Sequence, residues 1–110
     1  MHDALELPEY AAVLHLLTVP ALWPRTAAYL EDGDFDWPGL LAEAETMSGG
    51  EALLVRIAHE LWHARKDVGL WELPRRLDSH SFTRALEALQ ICRGMHRVRP
   101  AAVSPLRLAV

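Results

Sequence analysis

Apolar residues recur at helical spacing in several separate stretches of this chain, and no stretch alternates with the period of two that marks a half-buried strand. Pro8 suits a first helical position, and Tyr10, Val13, Leu14 and Leu17 follow at helical spacing until Pro20 stops the run. Pro24 opens a second helix expected to reach Leu30, with Gly33 as its left-handed cap. Asp36 is placed to cap a third helix carrying Leu40, Leu41, Ala44 and Met47. Leu70–Leu77 makes a short helix limited by Pro74. The last helix runs over Ser81–Arg93, with Phe82, Ala85, Leu86, Leu89 and Cys92 on one expected core face and Gly94 as its stop.

The longest element is Ser48–Lys66. Ser48 and Glu51 form the two ends of a capping box, each side chain reaching the other's backbone N–H. Leu53, Leu54, Val55, Ile57, Ala58, Leu61, Trp62 and Ala64 cover an apolar arc of roughly 200°, wider than a one-sided surface helix needs. The fold expected is therefore all-α: a compact bundle of five to six short helices around a central helix at about 48–66. Residues 1–94 read as one helical domain, and 95–110 as a basic, Pro-containing tail, extended or frayed.

Composition narrows the class. One hundred and ten residues with four Trp can close a single core without staples, and Cys92 alone can form no internal disulfide. No apolar run is long enough to span a bilayer, and the acidic N-terminus is unlike a signal peptide, so the expected location is cytoplasmic. Charge is divided: residues 1–50 carry nine acids against Arg25, a net −8, whereas residues 51–110 carry six acids against ten bases, a net +4. Either the two halves cover each other, or the basic end meets an acidic partner or phosphate.

Within the central helix, His59-Glu60-Leu61-Trp62-His63 matches the pattern HExxH, and these five residues resemble the active-site helix of zinc proteases of the zincin type. The resemblance implies His59 and His63 as zinc ligands and Glu60 as the catalytic base, with a third ligand unknown. Glu72, Asp78 and His80 are the candidates. The longer form with a Gly and a further His is absent, since Lys66 stands where that Gly belongs. Against this stands a solvated histidine pair among Arg56, Lys66 and Asp67, with Arg56–Glu60 and His63–Asp67 as one-turn ion pairs.

A second constellation is the short helix, turn and longer helix of residues 70–93, the size of a helix-turn-helix pair, in which Arg84 and Arg93 would meet nucleic acid. Trp37 and Trp71, beside turns, are candidates for an interface. The leading reading is a non-catalytic interaction or regulatory module with a protein partner or self-association, and no cofactor. The alternatives are a zinc hydrolase using Glu60 and a DNA-binding regulator.

Overall fold

In the computed structural model, which describes residues 7–94, short helices alternate with tight connections. Pro8 lies in the first turn of α1 (Pro8–Leu17), where its missing N–H is no loss. The helix closes at Thr18, whose N–H and hydroxyl both donate to the Leu14 carbonyl. α2 (Trp23–Thr26) is a single turn, extended by a 3-10 turn at Ala27–Tyr29. The buried Thr26 hydroxyl donates 2.8 Å to the Leu17 carbonyl and ties α2 to the end of α1.

The second helix therefore stops short of Leu30, and the expectation of a chain without strands fails there. Leu30–Glu31 (β1) pairs antiparallel with Asp34–Phe35 (β2). The two-residue turn between them is Asp32-Gly33, one of the strongest short-range hairpin signals, and Gly33 serves it at φ 77° rather than capping a helix. The hairpin drives Phe35 into the core, where its ring meets Tyr10 of α1 at 5.3 Å and Trp37 at 5.3 Å.

α3 (Trp37–Ala44) begins as expected, with the Asp36 carboxylate accepting from the Gly39 N–H. α4 (Gly49–His63) carries both halves of the capping box formed by Ser48 and Glu51. It ends before Lys66, because Ala64 takes a left-handed conformation at φ 55°. A Cβ in that region costs roughly 1–2 kcal/mol and glycine avoids it. Ala64 is exposed and has no packing to lose. Ala64→Gly should therefore raise the unfolding free energy by about 0.5–1 kcal/mol in denaturant titration. An unchanged or lower midpoint would contradict the strain.

α5 (Glu72–Arg76) follows, with Pro74 in its first turn, and α6 (Ser79–Arg93) starts two residues before Ser81 because Asp78 is its cap, accepting from the Ser81 N–H at 2.7 Å. Gly94 ends α6 at φ 92°. The all-α class stands, with the hairpin as its one departure among the described residues.

The core is shared by α1, α4 and α6, with α1 packed along both others. Ala12, Val13, Leu16 and Leu17 of α1 are sealed from solvent, as are Leu53, Leu54, Val55 and Ala58 of α4. α1 is thus as central as α4. On α6 the inward positions are Ala85 and Ala88, small residues that admit close helix approach, whereas Leu86 and Leu89, expected in the core, face outward. No described helix is long and apolar enough to cross a membrane. The tail expected at 95–110 lies outside the described residues.

Candidate functional site

The last two turns of α4 meet α1 and the hairpin through Trp62, and α3, the loop 64–71 and α6 on their other sides. Toward α3, His59 and His63 lie one turn apart with ring centroids 4.4 Å apart. Trp37 is buried against both, at 5.2 and 5.6 Å, edge to face. Its Nε1–H has no hydrogen-bond partner among the described residues. The hairpin sets this arrangement, since Phe35 and Trp37 flank its exit and pack on Trp62 and the histidines of α4.

The histidines are held from behind. His59 Nδ1 lies 2.8 Å from Asp67 Oδ2, and His63 Nδ1 lies 3.1 Å from the His59 carbonyl oxygen. The expected one-turn pairs Arg56–Glu60 and His63–Asp67 are not the ones formed. Arg56 instead donates to the Asp67 carbonyl at 2.6 Å and bonds Glu72 at 3.4 Å.

Glu60 turns toward the loop. Its Oε1 accepts from the backbone N–H groups of Asp67 and Val68 at 2.9 and 2.8 Å, closing the chain after α4. The candidates for a third zinc ligand stand elsewhere and are engaged or remote. Glu72 is buried; the Gly69 N–H, donating at 2.9 Å, holds its carboxyl below the usual range, and Arg56 and Arg76 add to the effect. Asp78 is likewise lowered by its cap on the Ser81 N–H. His80 lies exposed in the first turn of α6. Among the described residues, no three His, Cys, Asp or Glu side chains converge as a metal site.

The proposed nucleic-acid contacts separate. Arg84 reaches inward, donating 2.6 Å to the His15 carbonyl of α1, and burial depresses its pKa. Beside it Glu87 holds His15 Nε2 at 2.7 Å, and burial lowers the His15 pKa despite that partner. Arg93 stays exposed at the end of α6. The Cys92 thiol is raised by partial burial and is no activated nucleophile.

On the other side of α4 from Trp37, a groove of about 130 Å³ runs between α4, α5 and α6, lined mainly by Ile57, Leu61, Val68, Leu73, Ala85 and Leu89. Two of its lining side chains are open to solvent, Leu70 at 79% exposed and Leu89 at 42%, and next to them along the chain stand Trp71 (58%) and Leu86 (43%), one turn before Leu89. Sequence periodicity missed this patch because Leu86 and Leu89 adjoin Ala85 and Ala88. The apolar arc of α6 is wider than one neighbouring helix covers, and that excess width is the signal. A more polar cleft of about 270 Å³ lies where α4 and α6 begin, but Glu51 and Asp78 already cap the amides there.

The one charged residue in the groove wall is Glu60, whose carboxylate accepts from two backbone N–H groups. Every carboxylate of residues 51–94 is engaged within the fold: Glu51 and Asp78 cap helices, Glu60 caps the loop, and Asp67, Glu72 and Glu87 hold side-chain partners. Arg65, Lys66, Arg75 and Arg93 have no ion-pair partner among the described residues. Nor does any described carboxylate of the acidic first half pair with a Lys or Arg of the second; Arg25 is met inside its own half by Glu43. No protein-family model matches the chain, and neither a curated protein nor a solved structure does.

Proposed function

We propose that this protein is a non-catalytic interaction module that seats the apolar face of an acidic amphipathic helix in the groove between α4, α5 and α6. The observation carrying the reading is the apolar cleft with Leu70 and Leu89 of its wall open to solvent, and with Trp71 and Leu86 exposed beside them along the chain. Scattered exposed leucines need no explanation, but exposed apolar side chains that line a cleft mark a docking surface. The volume is close to the ~150 Å³ of an apolar cavity that accepts one benzene ring, so one Leu or Phe anchor fits. Helix-in-groove recognition supplies such anchors at one-turn spacing.

Charge selects the partner. Arg93 lies on the same stripe of α6 as Leu86 and Leu89, one turn beyond Leu89, and Arg65, Lys66 and Arg75 flank Leu70 and Trp71 along the chain. With the local carboxylates engaged, the unpaired cations favour acidic residues on the polar face of the incoming helix. A second copy presenting this same face would oppose like charges. The inward turn of Arg84 and the two backbone amides held by Glu60 support this reading over the nucleic-acid and hydrolase alternatives.

The test is titration with two synthetic helical peptides sharing one leucine stripe, one bearing Glu and the other Lys on the polar face, followed by tryptophan fluorescence. The Glu peptide should bind, more weakly at high salt, and the Lys peptide should not. Full burial of a leucine contributes roughly 1.5–3 kcal/mol, so Leu89→Glu should weaken binding by about tenfold or more. Equal binding of both peptides, or of neither, overturns the reading. Self-association abolished by Leu89→Glu would assign the groove to a second copy instead.

A further inference from the structure

The histidine pair lies on the other side of α4 from the groove and supports a separate inference. The tautomers of His59 and His63 follow from their partners. A carboxylate oxygen and a carbonyl oxygen only accept hydrogen bonds, so the Nδ1 of each ring must be the donor. In the neutral ring the lone pair then lies on Nε2. Neither Nε2 has a hydrogen-bond partner among the described residues, and neither is a sealed, unpartnered atom: His63 is exposed and His59 partly so.

We propose that His59 and His63 form a two-histidine clip, bonding through Nε2, for a late first-row divalent ion such as Zn²⁺. Neutral imidazole suits these ions. Two imidazoles on one ion at about 2.0–2.1 Å keep their centroids roughly 4.5–5.2 Å apart for angles near 90–110° at the metal. The observed 4.4 Å lies just below that span, so closure needs the rings to part by a few tenths of an ångström. Asp67 and the His59 carbonyl supply the outer support that fixes ring orientation in metal-binding histidines. Trp37 packs on both rings from the α3 side.

Because no third side chain converges among the described residues, water completes the coordination, and the clip needs neither Glu60 nor a cleft. Asp67 is a positioning residue. Its negative charge is shared with Arg56, whose Nε lies 3.8 Å from Oδ1, so it offsets part of the cost of bringing a dication near that arginine.

Two measurements test the clip on tag-free protein. The first is the histidine tautomer by ¹H–¹⁵N NMR before any metal is added. A histidine side chain free in water favours the Nε2–H form, so Nδ1–H at both His59 and His63 is the result that the proposal requires, and Nε2–H at either overturns it. The second is calorimetric titration with Zn²⁺, expected to show one ion per chain. Binding should weaken at least tenfold in His63→Ala and in His59→Ala, and about 10–100-fold in Asp67→Asn. His80→Ala, removing an exposed histidine elsewhere, should match the parent. His63 is exposed, so its variant folds even where His59→Ala does not. No saturable binding, or binding indifferent to His63 and Asp67, overturns the clip.

Discussion

Leu16→Ala and Leu54→Ala should each lower the unfolding free energy by about 2–5 kcal/mol, the range for a buried leucine whose cavity cannot fully collapse. Leu16 is sealed where α1 packs on α4 and α6, and Leu54 is 1% exposed on α4. For a domain near this size each kcal/mol is worth roughly 4–8 °C, so thermal midpoints should fall by about 10 °C or more. Ile57 is nearly as buried and should behave alike. Leu61 is only partly buried, at the edge of the core where it lines the groove, and should cost less. That order, Leu16 and Leu54 above Leu61, is the discriminating result. Equal losses at all three would mean that the groove wall is core. Losses below ~1 kcal/mol at Leu16 and Leu54 would contradict the packing of α1 between α4 and α6.

The starts of α3 and α4 and the end of α6 could be read in the sequence because capping is local: Ser48 and Glu51 act across three residues, as do Asp36 and Gly39, and Gly94 needs only its own backbone. What escaped were decisions taken over distance. Asp32-Gly33 can cap a helix or turn a hairpin, and the buried contacts of Phe35 with Tyr10 and Trp62 select the hairpin. Likewise, periodicity places Leu86 and Leu89 on an apolar arc but does not say which part of that arc α1 and α4 cover. The histidines were evident as a pair. The use of Asp67 eight residues on, and of Trp37 from another helix, depends on the return of the loop after α4. Charge segregation was legible in the composition. Its persistence in the fold follows because each half finds its ion partners internally, apart from the His15–Glu87 pair.

Glu60→Ala should be the most costly polar substitution on α4. The carboxylate is the single acceptor for the Asp67 and Val68 amides, and those bonds fix the loop that carries Asp67 to His59 and Glu72 to Gly69. A hydrogen bond to a charged group contributes about 1.5–3 kcal/mol, and leaving part-buried amides unpaired adds their desolvation cost. A loss of about 2–4 kcal/mol is expected, with faster amide exchange confined at first to the 64–71 loop. Glu60→Gln separates this role from chemistry. Its amide oxygen can accept both bonds, so it should retain most of the stability that Glu60→Ala loses. A proton-transferring carboxylate, by contrast, is not replaced by Gln. If Glu60→Ala proved as stable as the parent, the loop would owe nothing to Glu60, and the argument that its carboxylate is engaged in structure would fail.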